Sequence, residues 1–128
     1  MKPEVFHLFP ELERNYGMSR AWKVGELIFM SGFTALDATG TVQGVGDMRA
    51  QFRQIYKNMA ETLAHFGVGL PNIIEQSVYT TDIGRIAEGI EVVRELWSGH
   101  EPPVAVGVEV RRLAMPEMLV EIKATAHV

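Results

Sequence analysis

Few residues in this chain combine the chemistry and the setting that catalysis needs. Glu121 is the first. It is a single carboxylate in the run Met118-Leu119-Val120-Glu121-Ile122-Lys123-Ala124, directly between Val120 and Ile122. A glutamate so placed either lies on a solvated sheet face or is held in a pocket that uses it for acid–base work. Ala105 and Gly107 are the second feature. In Val104-Ala105-Val106-Gly107-Val108-Glu109-Val110-Arg111 the valines take one face of a strand, and the opposite face begins with two residues that have almost no side chain. Small residues there either admit a neighbouring backbone or leave a hollow. Other chemistries drop out. The chain has no cysteine, which removes disulfides, thiol nucleophiles and thiolate metal sites. His7, His65, His100 and His127 lack the i, i+4 spacing of a ligand pair, so no metal site is expected. His100 lies in the loop before Pro102. The glycines from Gly40 to Gly46 are not followed by the Lys-Ser/Thr of a phosphate loop. Glu109 reads as a solvated or interface charge, and Arg20 and Lys23 read as ordinary surface cations.

The elements that must carry these residues follow from periodicity and punctuation. Val104 to Val110 alternates with period two, and Pro102-Pro103 leads into it. After a break at Leu113 to Glu117 comes the Glu121 run, and the two halves predict a C-terminal hairpin. A second hairpin is predicted for Arg20–Val24 and Leu27–Met30 around the turn Gly25-Glu26. Residues 1–19 form an irregular lead-in with a short strand around Val5–Phe9. Turn residues crowd Asp37 to Gly46, leaving Thr41–Gln43 as a short edge strand. Asp47 is an N-cap for a helix running to Phe66, with Met48, Phe52, Ile55, Met59, Leu63 and Phe66 on one face and Gly67 as terminator. Ile73–Thr81 is strand-like. Asp82 caps a second helix whose stripe is Ile86, Ile90, Val93 and Trp97, closed by Gly99.

A length of 128 residues fits one domain, 1–128, able to bury roughly two-thirds of its unfolded surface. The net charge is −4, with 12 basic residues against 16 acidic ones and Arg111-Arg112 as the sole adjacent basic pair. Nucleic acid is therefore not an expected partner. No apolar stretch approaches the length of a membrane span or a signal peptide, and a cytoplasmic location fits the lack of cysteine. Two helices can cover only one face of the sheet. Leu27-Ile28-Phe29-Met30 is nonetheless apolar on both faces, so copies of the same chain are expected to cover the other.

Order and spacing together resemble the RidA/YjgF family of reactive-intermediate deaminases. The resemblance rests on Val24-Gly25-Glu26-Leu27-Ile28-Phe29-Met30-Ser31-Gly32, Gln51 and Asn58, Gly67, Tyr79-Thr80-Thr81-Asp82, Val108-Glu109-Val110 with Leu113, and Met118 to Ile122. It covers residues 16–126. It implies an α+β, chorismate-mutase-like two-layer sandwich with a mixed sheet of about six strands and two helices on one face. It also implies a homotrimeric barrel with a small-molecule cleft at each subunit interface. Members of this kind hydrolyse imines and enamines to a keto acid and ammonia without a cofactor. An arginine in a Pro-x-Arg motif clamps the substrate carboxylate, and a glutamate in the last strand holds water. Carried over residue by residue, Glu121 matches that catalytic glutamate, and Ser31-Gly32, followed by Phe33, matches the cleft backbone. The aromatic of the N-terminal part falls on Met18, with Tyr16 two residues earlier, and a pocket asparagine falls on Ile90. The clamp arginine falls on Ala105, or on Val104 after a one-residue slip. With Ala105 and Gly107 there, a small uncharged ligand end fits better than a carboxylate. The resemblance thus implies an imine or enamine deaminase of altered substrate. A non-catalytic metabolite-binding or regulatory trimer is the alternative, and an RNA-cleaving role fits worst.

Overall fold

The computed structural model describes residues 2–128. Gly25 takes φ +61°, the left-handed value that lets a two-residue turn match strand twist. It joins β2 (Ala21–Val24) to β3 (Leu27–Met30) in the expected antiparallel register, Val24 opposite Leu27. The Asp47 carboxylate accepts from the Ala50 N–H at 3.0 Å and opens α2 (Met48–His65). The predicted face of that helix, from Met48 through Phe52, Ile55 and Met59 to Leu63, is fully buried, and Gly67 at φ +77° lies just beyond its end. Ile73–Thr80 forms β4, Val104–Glu109 forms β5 and Val120–His127 forms β6. Glu4–Phe6 is a short β1 on the outer side of β2. Thr41–Gln43 forms no strand; Val42 makes a single bridge to Leu36.

The C-terminal hairpin is not formed. The sheet order is β1-β2-β3-β6-β4-β5. β5 pairs parallel with β4, while β6 lies between β3 and β4 and is antiparallel to both. The connection from β4 to β5 runs through α3 (Ile86–Leu96), which makes a parallel βαβ unit. Two further differences concern helices. The lead-in contains α1 (Pro10–Asn15), with Pro10 in its first turn. The second predicted helix starts later than Asp82, because a single 3-10 turn over Ile83–Arg85 intervenes and the Asp82 side chain makes no capping bond. Its inward face is Gly89 and Val92, with Val93, Leu96 and Trp97 packed against the core, whereas Ile90 is 49% exposed.

Both long helices lie on the face carrying Ile28, Met30, Val78, Val120, Ile122 and Ala124, which with α2 form the main core. The opposite face has no such cover. Trp22, Val24, Leu27, Phe29, Val104, Val106 and Val108 are all exposed on it. Among the described residues no helix is long and apolar enough to cross a membrane.

α3 meets α2 at Gly89. A Cβ there would lie 2.6 Å from Phe52 Cδ1 and closer still to Cε1 and Cζ. Phe52 is buried in the core, so its ring must shift to admit the methyl. Gly89→Ala is therefore expected to lower stability by about 1–3 kcal/mol through overpacking, despite the roughly 1 kcal/mol that alanine gains over glycine in a helix. A thermal or denaturant melt measures it.

Candidate functional site

Glu121 sits on β6 with its side chain on the face away from the helices, opposite Tyr79 of β4. Val120 and Ile122, its neighbours, are buried on the helix side, which is the period-two alternation that leaves the glutamate alone on its face. Its carboxyl group rests against the end of β3. A Cβ on Gly32 would be 2.9 Å from Glu121 Cδ and nearer to Oε2, so glycine is what makes room for the carboxylate. Burial pushes the Glu121 carboxyl above the usual carboxylate range, and the Arg20 guanidinium partly offsets this. The group lines a hollow of about 140 Å³ together with Met18, Tyr16, Arg20, Gly32, Leu36 and Met118. A desolvated carboxylate beside open volume can hold a water molecule and take its proton.

The structure sorts the other residues singled out in the sequence into separate places. Met18 and Gly32 share the hollow with Glu121. Ser31 lines a shallower depression beside Trp22, Phe29 and Lys123, and its hydroxyl donates to the Ser19 carbonyl at 2.6 Å. Phe33 is buried in the core, with the Arg20 guanidinium 4.2 Å from its ring centroid. Ile90, Ala105 and Gly107 line a different hollow, of about 340 Å³, between β5 and α3. Gln76 and Val78, the partners of Ala105 and Gly107 across β4, lie on the helix side of the sheet. Within one chain, then, the sheet separates these three residues from Glu121. Glu109 accepts the Ile83 N–H at 3.0 Å and ties β5 to the 3-10 turn.

Two charged residues at this site are placed differently from the sequence reading: Arg20 is not the ordinary surface cation expected but is buried against Glu13, a residue the sequence did not single out. Arg20 is 8% exposed and Glu13 is 1% exposed, and Arg20 Nε donates to Glu13 Oε2 at 3.3 Å. Glu13 lies on α1 and Arg20 just before β2, so no periodicity within one element relates them. The alternation from Arg20 to Val24 gave only a face.

The family model described as Endoribonuclease L-PSP matches residues 10–128. A RutC family protein of Pyrococcus horikoshii is 36% identical over 110 residues, 85% of each chain. This chain belongs to the RidA/YjgF family. A Mycobacterium tuberculosis member of the YjgF/YER057c/UK114 family superposes with a TM-score of 0.86 at 32% identity, covering 99% of this chain and 100% of that one. A protein named 3-aminoacrylate deaminase RutC, from Acinetobacter baylyi, is 29% identical over 108 residues, 84% of each chain. The α+β fold of the RidA/YjgF family is therefore the fold of this chain, with its mixed sheet of six strands and its long helices on one face.

Within the RidA/YjgF scaffold, the contact between Gly32 and Glu121 gives a sharp test. Gly32→Ala is expected to displace the carboxyl group and lower any Glu121-dependent rate by about a hundredfold, the effect of an ångström of misplacement. The melting temperature should change little, because the clash can be relieved by a half-exposed side chain. A steady-state rate and a melt on the same preparation read both.

Proposed function

We propose that this chain hydrolyses a small imine or enamine to a carbonyl compound and ammonia, with Glu121 activating water in clefts formed between three copies of the chain. The observation that carries the reading is the Glu121 carboxyl group, pressed on Gly32, raised by burial, and facing open volume. In the reaction an enamine first takes a proton on carbon to give the iminium, and Glu121 then takes a proton from water as the oxygen attacks the C=N carbon. Glu121 returns that proton to the carbinolamine nitrogen, and as the C–N bond breaks the hydroxyl proton passes back to the carboxylate, which leaves C=O and releases ammonia. The name of the Acinetobacter relative, a deaminase of an unsaturated amine, supports the reaction class. Three copies would cover the apolar sheet face and bring the Ile90, Ala105 and Gly107 hollow of one chain toward the Glu121 hollow of another. Ala105 offers no cation there. A bidentate arginine contact to a carboxylate is worth roughly 1.5–3 kcal/mol, so substrates lacking that carboxylate suit this cleft better.

The test is ammonia release from freshly generated 2-aminoacrylate and from bulkier uncharged imines. Acceleration is expected for both and to be larger for the uncharged ones. Failure to exceed the buffer rate with any of them would overturn the reading. A second reading, a trimer that binds a metabolite without turning it over, is favoured by the apolar hollow of about 340 Å³ around Ala105. Calorimetry showing tight binding of a neutral metabolite without turnover would select it. RNA cleavage fits least: the net charge is −4 with a single adjacent basic pair, and Arg49, Arg53, Lys57 and Arg85 are paired with glutamates, so no basic track follows a phosphate backbone.

A further inference from the structure

The guanidinium of Arg20 is held on three sides. Nε donates to Glu13, Nη1 donates to the carbonyls of Ser31 at 3.4 Å and Gly32 at 3.0 Å, and the Phe33 ring lies along it. Glu13 is held in turn. Its Oε2 accepts from the N–H groups of Leu8 at 3.2 Å and Phe9 at 2.9 Å, and its Oε1 is 2.9 Å from His7 Nδ1. This cluster joins the lead-in and α1 to the ends of β2 and β3. A buried ion pair is a weak source of stability, because desolvating two charges offsets most of their attraction. Apolar residues of the same size would hold these segments together as well. What they could not supply is a fixed cation at the rim of the Glu121 hollow and a planar group that bonds Glu13 through Nε while Nη1 fastens two successive carbonyls.

Both of those properties converge on Glu121. The carbonyl of Gly32 is fastened by Nη1, and the Gly32 Cα is the surface on which the Glu121 carboxyl group rests. Arg20 also lines the same hollow. We propose that Arg20, clasped by Glu13, is a positioning residue for Glu121: it fixes the strand end that supports the carboxyl group and places a cation at the rim of the same hollow. The other charged or titratable groups facing Glu121 are Tyr79 across the strand pair, Lys123 on the same face of β6, and Glu13 and Tyr16 in the hollow. Lys123 Nζ is engaged by the Met30 carbonyl at 3.1 Å. Arg20 is the counter-charge that acts on Glu121 against burial, and Glu13 sets how much of that charge is left over.

The role rests on Glu121 being the acid–base group, and the experiment separates the two. The Glu121 carboxyl resonance, assigned by its loss in Glu121→Gln, is titrated by carbon-13 NMR in the full chain, alongside the pH profile of ammonia release. Arg20→Gln is expected to raise the midpoint by about one unit. Glu13→Gln leaves the cation less neutralised and is expected to lower it. Arg20→Lys keeps the charge and stays near the wild-type midpoint, but loses the planar group and about ten- to a hundredfold in rate. A purely structural pair would not produce opposite shifts from its two members. An unmoved midpoint in folded Arg20→Gln, or shifts of the same sign in Arg20→Gln and Glu13→Gln, would overturn the proposal. Should Arg20→Gln not fold, a Glu13→Gln midpoint that fails to fall, or a wild-type rate in Arg20→Lys, would overturn the proposal. Opposite shifts without ammonia release from any protein would uphold the positioning role and sink the hydrolase reading.

Discussion

Glu121→Gln is expected to lower imine hydrolysis by about 10²–10⁴-fold, the usual contribution of a positioned acid–base group, while leaving the fold intact or slightly more stable. The two halves of that expectation come from one feature. Burial raises the Glu121 carboxyl, so the folded state holds the proton more tightly than the unfolded chain does. The ionised form therefore costs stability above the raised pKa, and the cost disappears as pH falls through it. Glutamine removes the desolvated charge and with it that cost, so the melting temperature at neutral pH should stay level or rise. Catalysis needs the opposite state. Glu121 must be ionised to take a proton from water, so the wild-type rate should fall on the acid side with a midpoint above the ordinary glutamate value. Rate and melt measured on the same variant distinguish this from a glutamate that only solvates the sheet, whose replacement would leave the rate unchanged.

How much of this was legible beforehand depends on the range of the signal. Asp47, the Met48-to-Leu63 stripe and Gly67 are local features, and each acts within a few residues. The helix they specify was readable almost to the residue. The same holds for the turn at Gly25. The family resemblance gave the fold, but the local patterns alone paired the wrong strands. Alternation in Val104–Val108 says that the segment is extended and says nothing of its neighbour. The partner of β5 is β4, reached through a whole helix, because a strand–helix–strand sequence returns to a parallel position. Ile90 illustrates a smaller failure: period alone put it inward, whereas Gly89 and Val92 carry the contact because glycine lets Phe52 come close. At the site, Glu121 was visible as a charge out of pattern. The Glu13–Arg20 pair was not, since nothing periodic links a short helix to the start of a strand.

The second large effect concerns the uncovered sheet face. If three copies assemble as proposed, Phe29→Asp is expected to convert them to single chains and to abolish the proposed turnover with it. Phe29 is 44% exposed and Trp22, its partner on β2, is 46% exposed. They share a face with Val106 and Val108. An apolar surface of this kind on a lone chain marks an interface, and a threefold assembly buries it three times. A carboxylate placed there without a partner costs about 3 kcal/mol per copy. Three copies then raise the trimer dissociation constant by about six orders of magnitude, at 1.4 kcal/mol per tenfold. The single chain should tolerate the change, because Phe29 points away from the helix-covered core. Sedimentation velocity reads the outcome directly: wild type at three times the chain mass, Phe29→Asp at one, and Val106→Asp likewise. If the wild type sediments as a single well-folded chain, the shared clefts do not exist, and Ile90, Ala105 and Gly107 have no route to Glu121. If Phe29→Asp stays assembled, the subunits meet through some other surface.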